Sequence, residues 1–236
     1  MKYCSSTCQT EDWASHRLVC KTVGAARNEE LMPLLLAAQT GDVATVEKLL
    51  KAGARVDSGA FSDDHEAVLT TPLFTATMTG HAAVIAVLLK AGAKINRKSA
   101  GGFTPLFIAA QEGHTAAVSV LIGAGAEIDI VNDEQCTPLH VAAQKGHEAV
   151  LAVLIKAGGD VKRTGDDGCS PVYMAVQNDL RAVLAILIKA GADVNQAMDN
   201  GEPQVGAGHA SKSRGLCEFR KGGWLQPSVH CHYARS

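Results

Sequence analysis

One short phrase recurs through the chain at a fixed interval, and that interval restricts the fold more than any other feature. Its copies are Met32-Pro33-Leu34-Leu35-Leu36-Ala37-Ala38, Thr71-Pro72-Leu73-Phe74-Thr75-Ala76-Thr77, Thr104-Pro105-Leu106-Phe107-Ile108-Ala109-Ala110, Thr137-Pro138-Leu139-His140-Val141-Ala142-Ala143 and Ser170-Pro171-Val172-Tyr173-Met174-Ala175-Val176. The prolines from Pro72 to Pro171 are spaced by 33 residues at every step, while Pro33 to Pro72 spans 39. The first unit therefore carries an insertion of six residues. A regular period of this size belongs to a solenoid of stacked units.

Each unit reads as two short helices and a turn. A Thr or Ser hydroxyl before Pro suits a helix start, since the hydroxyl caps and proline's fixed φ and missing donor cost nothing at the first helical position. In the unit beginning at Pro105, Gly113 ends the first helix by permitting a left-handed backbone. Val118, Leu121 and Ile122 then recur at helical spacing and predict one buried stripe on a second helix, which Gly125 stops. Ile128-Asp129 opens an extended turn leading to Thr137. A single unit has too little apolar surface to fold alone, so stability belongs to the stack.

The phrase Thr-Pro-Leu-His-x-Ala-Ala, followed by Gly-His and by Leu-Leu-x-x-Gly-Ala, resembles the ankyrin repeat over about residues 30–200. The resemblance implies an all-α solenoid of about five repeats, residues 30–200, with hairpin-like turns between helix pairs. It also implies a hydrogen bond between Thr137 and His140, so these are expected to be structural. The other copies carry Leu35, Phe74, Phe107 and Tyr173 at the histidine position.

His81, His114 and His147 also lie 33 apart, each after a glycine. Stacked units hold equivalent side chains about 10 Å apart, whereas zinc sits about 2 Å from each nitrogen. These histidines are therefore expected to tie the loop between helices to a neighbouring repeat. Cys136 and Cys169 occupy equivalent positions one repeat apart and are expected to stay free thiols, because the stacking distance exceeds the ~7 Å Cα separation a disulfide tolerates.

The N-terminus carries a second pattern. Cys4, Cys8, His16 and Cys20 fall in pairs spaced by four residues, which places each pair on one face of a helix and supplies the thiolate and imidazole donors zinc takes in a tetrahedral shell. With Gln9 and Trp13 between them, residues 1–20 resemble the second half of a MYND-type zinc finger. A full finger of that family holds two zincs in a cross-brace, with ligand pairs one and three on one ion and pairs two and four on the other. Here Cys4 and Cys8 match the third pair and His16 and Cys20 the fourth. Three readings stay open: the four ligands collapse onto one zinc, the segment holds no metal tightly, or the chain begins inside a longer protein, which is the favoured expectation. In the family the finger takes proline-containing peptides, with Gln9 and Trp13 at the groove positions.

The expected organisation is a partial finger at 1–20, a linker at 21–29, the array at 30–200 and a divergent, disordered tail at 201–236. Asp199-Asn200-Gly201-Glu202 reads as the lead-in to a sixth repeat, but Pro203-Gln204-Val205-Gly206 follows. A frame slip, a retained intron and a true divergent tail would all look like this. The fifth repeat, with Leu184, Ile186, Leu187 and Ile188, lacks the polar face of a terminal cap. Residues 31–200 hold 13 basic and 18 acidic side chains and the tail five and two, so no basic stripe for nucleic acid is expected. No apolar run spans a membrane, no secretory leader is evident, and seven cysteines are an odd number for a disulfide framework. An intracellular, cytoplasmic or nuclear protein is expected.

No nucleophile, phosphate-loop or paired-carboxylate motif emerges, so a non-enzymatic interaction scaffold is the expected function. The alternative is a non-catalytic fragment of a larger MYND-containing enzyme such as a SET-domain lysine methyltransferase, although nothing in the chain resembles a SET domain. In the ankyrin family, partner contacts come from variable residues flanking the phrase, in a concave groove. Here these are Phe103, Cys136 and Cys169 just before it, and Met78, Gln111, Glu112, Gln144, Lys145, Gln177 and Asn178 after it. The turn tips add Asp133, Glu134, Asp166 and Asp167. The groove is then acidic at its centre, which predicts a protein partner with a basic, apolar-anchored segment.

Overall fold

The computed structural model describes residues 33–57, 71–165 and 168–194. Among them are ten α-helices and no strand. They are α1 (33–40), α2 (Val43–Lys51), α3 (Pro72–Met78), α4 (Ala82–Lys90), α5 (Pro105–Gln111), α6 (Thr115–Gly123), α7 (Pro138–Lys145), α8 (Glu148–Lys156), α9 (Pro171–Gln177) and α10 (Arg181–Lys189).

Local chemistry starts and stops these helices as the sequence suggests. The hydroxyls of Thr71, Thr104 and Ser170 each accept from a backbone N–H three residues on, at 3.2 Å, with proline at the first helical position. Thr137 and His140 close a capping box, the hydroxyl lying 2.8 Å from Nδ1 and the Thr137 N–H donating to the same nitrogen at 3.2 Å. At the other end the chain turns through a left-handed glycine, and the next N–H reaches back five residues. His114 N–H to Ala109 O at 2.9 Å and Ala126 N–H to Leu121 O at 3.0 Å are examples, so the last carbonyls are satisfied.

The helices form two rows. The odd-numbered helices α3, α5, α7 and α9 pack side by side, as do the even-numbered α2, α4, α6, α8 and α10, and each odd helix packs on the even one that follows. Between the rows runs one core of small and aliphatic residues. The alanine pairs Ala109-Ala110 and Ala142-Ala143 are fully buried, which allows neighbouring helix backbones to approach closely. In the even-numbered row, the outer one, the three interior helices α4, α6 and α8 each send in a triplet, Val84-Ile85-Leu88, Ala117-Val118-Leu121 or Val150-Leu151-Leu154, with no exposure at all, whereas α2 buries Val46 alone and α10 Val183 and Leu187. Burying each such Val, Ile or Leu contributes about 1.5–3 kcal/mol. Ile122, expected in the stripe, sits half-buried at its flank, and Ala117 takes its place.

Between helix pairs the chain folds into tight turns closed by a backbone bond. Ser99, Asn132 and Gly165 donate to the carbonyls of Phe103, Cys136 and Cys169 at 2.9, 3.0 and 3.0 Å. Successive turns are joined by Asp133 N–H to Gly101 O at 3.1 Å. The partial finger, residues 58–70 in the longer first interval and the tail lie outside the described residues.

Candidate functional site

The residues that hold one repeat to the next also determine which side chains stay free for a partner. His81, His114 and His147 stand at the residue just before an outer helix, yet none caps it. Each ring reaches back instead, and its Nε2 meets the carbonyl of Gln39, Met78 or Gln111 in the preceding repeat at 3.0, 3.0 and 2.9 Å. A carbonyl only accepts, so Nε2 carries the proton. The ring lies flat against the preceding repeat's glycine. A Cβ on Gly41, Gly80 or Gly113 would fall 2.6–2.7 Å from a ring atom. These glycines thus serve two needs, a left-handed backbone and close approach of the next repeat.

The two ends of the array depart from this pattern. Asp42 holds the position in the first repeat, and its carboxylate caps its own helix α2 through the Thr45 N–H at 3.1 Å and the Thr45 hydroxyl. Those bonds hold its pKa below the ordinary carboxylate value. Leu180 holds it in the fifth and makes neither contact, packing its apolar tip toward Gly146. Asp179 there replaces the glycine and still takes the left-handed conformation, φ 51°.

The candidate contact residues separate into three groups. Met78, Glu112, Lys145, Gln177 and Asn178 line up at the C-terminal ends of α3, α5, α7 and α9 and are exposed, with Gln111 and Gln144 half-buried beside them. The Gln111 amide donates to the Glu112 carboxylate at 3.0 Å, which orients both. Met78, at 38% exposure, offers an apolar surface. Asp133 and Glu134 are exposed at a turn tip, whereas Asp166 and Asp167 lie outside the described residues.

Cys136 and Cys169 drop out of the contact set. They are 1% and 2% exposed, because the residue before Thr or Ser is the second leg of the turn and faces the core. A Cβ on Gly165 would meet the Cys136 sulfur at 3.4 Å, so the next turn lies directly over it. Both are free thiols, as the register requires. Phe103 is half-buried at the same position, its ring 5.1 Å from that of Phe107 and tilted by 49°. Sequence reasoning missed Asn132, 2% exposed, whose Oδ1 accepts from the Glu134 and Cys136 N–H groups at 3.2 and 2.8 Å and so shapes the tip that carries Asp133 and Glu134. The Asn in Asn132-Asp133-Glu134 was the available signal, since this side chain mimics a turn.

Among the described residues no group of three or more His, Cys, Asp or Glu is placed to hold a metal, and no helix is long and apolar enough to cross a membrane. Cys4, Cys8, His16 and Cys20 lie outside those residues. Their donor set, three thiolates and an imidazole, is one that zinc accepts.

Family models match the chain at both of its patterns. Ankyrin repeats match in three copies, at residues 14–99, 34–132 and 106–198, and the MYND finger, which in general implies zinc binding, matches residues 1–20. A search of the curated proteins finds no match. The Thr-Pro helix starts, the paired helices, the histidine ties and the extent of the family match together make the chain a member of the ankyrin-repeat family that carries a MYND finger segment at its N-terminus.

Proposed function

We propose that the array is a non-catalytic scaffold that holds a partner protein along the exposed ends of its inner helices and the turn tips, the surface that forms the concave groove in this family. A role in protein interaction follows from the two families in general. The observation that carries the finer reading is the exposed row of Met78, Glu112, Lys145, Gln177 and Asn178, set on helices whose other faces are buried. Glu112, Asp133 and Glu134 outnumber Lys145 there, so a basic segment with an apolar side chain for Met78 is the complementary ligand. Two buried free thiols accord with an intracellular setting, cytoplasmic or nuclear.

Reversing Glu112, Asp133 and Glu134 to Lys together is expected to weaken capture of the partner about tenfold or more and to flatten its salt dependence, with the thermal midpoint held. Unchanged affinity would reduce these carboxylates to a solubility feature. For the finger, the proposal is one zinc per chain at most, through Cys4, Cys8, His16 and Cys20, because four ligands fill one tetrahedral shell. Metal content of the purified chain and of Cys8→Ser checks it, and two tightly held zincs would refute it. A proline-containing peptide is the ligand to try on that segment.

A further inference from the structure

One side chain recurs along the groove. Gln39, Gln111, Gln144 and Gln177 hold the same position near the C-terminal ends of α1, α5, α7 and α9, and Met78 holds it in α3. Since α3, α5, α7 and α9 pack side by side, this position forms a row, with Gln111 and Gln144 half-buried and Met78 and Gln177 exposed. The row is held from behind. The histidine of the next repeat bonds the backbone carbonyls of Gln39, Met78 and Gln111 at 3.0, 3.0 and 2.9 Å, and side chains on a fixed backbone lose less freedom when a ligand arrives. Gln111 shows which way such an amide faces. Its nitrogen donates to the Glu112 carboxylate, which only accepts, at 3.0 Å, while its Oε1 is buried with no hydrogen-bond partner among the described residues. With the oxygen turned inward, the amide offers its second N–H to the groove.

A row of donors calls for a row of acceptors at the same spacing. Packed helices lie about 8–10 Å apart. A polyproline II backbone has three residues per turn and rises about 3.1 Å per residue, so carbonyls on one face recur every ~9 Å, and none is used internally. A β-strand repeats its face every ~6.6 Å and falls out of step, and an α-helix has already committed its carbonyls. Proline adds carbonyls without an N–H that needs its own acceptor. We propose that the groove takes a proline-rich segment of the partner in the polyproline II conformation, with Gln111, Gln144 and Gln177 donating to every third carbonyl and an apolar residue against Met78. This rests on the groove reading and names the conformation its basic segment adopts. Glu112 on the row and Asp133 and Glu134 at the tip, against Lys145, favour lysine or arginine between the prolines.

Random dodecapeptides displayed on phage are selected on the full-length protein, and the winners are measured as synthetic peptides on the parent, on Gln111→Met combined with Gln144→Met, and on Gln144→Glu. Methionine and glutamate suit a helix about as well as glutamine, so the variants should keep the parent's thermal midpoint. If the double variant fails to fold, Gln177→Met, at an exposed position, takes its place. The expected winners carry prolines with lysine or arginine between them, lose affinity about tenfold or more on the double variant, and lose as much when their prolines become glycine. Gln144→Glu separates donation from charge. A carboxylate there would strengthen a basic peptide if charge alone held it, whereas loss of the N–H donors should weaken it. Winners without proline, winners indifferent to the amide variants, or winners that tighten on Gln144→Glu would overturn the proposal. Failure of the groove reading shows elsewhere, in the charge reversal of Glu112, Asp133 and Glu134. If that reversal weakens partner capture but no proline-rich peptide is selected, the groove stands and this inference falls.

Discussion

At the scale of single residues, the glycines of this chain fall into two kinds that look alike in the sequence. Gly113 and Gly125 both take positive φ, 75° and 90°, but the His147 ring covers Gly113 and nothing lies near Gly125. Alanine at Gly125 is expected to cost about 1–2 kcal/mol, the strain of a left-handed residue with a Cβ. Alanine at Gly113 adds a collision with a ring fixed by its bond to Gln111, so its loss should be larger by about 1 kcal/mol or more. Urea titration of the two variants checks the order, and His147→Ala should relieve part of the Gly113→Ala defect but none of the Gly125→Ala one. The converse holds at Asp179, already left-handed where its counterparts are glycine. Asp179→Gly is expected to raise the urea midpoint by the equivalent of about 0.5–1 kcal/mol, since its exposed 3.5 Å contact with Arg181 contributes little.

At the scale of the element, the helix pairs differ in how their outer helix is started. His81, His114 and His147 give up capping to grip the preceding repeat, whereas Asp42 caps α2. Its folded pKa lies below the ordinary carboxylate value of 3.8 owing first to the Thr45 hydroxyl and then to the Thr45 N–H. A lowered folded pKa means that the cap's contribution is fully present above pH 3.8 and fades as pH falls through the folded value. The α2 amides should therefore gain hydrogen-exchange rate on acidification below pH 3.8 relative to those of α6, which has no carboxylate cap. Asp42→Asn, which keeps a capping oxygen without titrating, should remove that difference.

At the scale of the whole molecule, among the described residues the interior repeats are covered on both sides and the fifth on one. Ile85, Val118 and Leu151 are fully buried, yet their counterpart Leu184 is half-buried and Ile188 is 49% exposed. Leu180 also lacks the histidine's bond to the repeat before it. In a stack stabilised by neighbouring interfaces, opening should begin there. Native-state hydrogen exchange is expected to show the greatest protection in α5 to α8 and earlier exchange in α9 and α10, and uniform protection across α3 to α10 would refute a stepwise array. Leu180→His should narrow the gap by restoring the reach toward the Gln144 carbonyl.

What the sequence by itself determined is whatever depends on bonds of short reach. The 33-residue register, the Thr-Pro starts and the glycine stops were legible, because a cap spans three residues and a helix end five, and the Thr137–His140 pair came with the family resemblance. The positions at the ends of the inner helices came from the family resemblance, and the structure shows them exposed. Only the tertiary structure decided the rest. The carbonyl that His114 grips lies 36 residues away, the cover over Gly113 belongs to the next repeat, and Cys136 is buried because a neighbouring turn lies over its sulfur. A repeat's sequence states how the unit folds, but burial is a property of the pair of units in contact, and the chain must be stacked before any residue is on the inside or the outside.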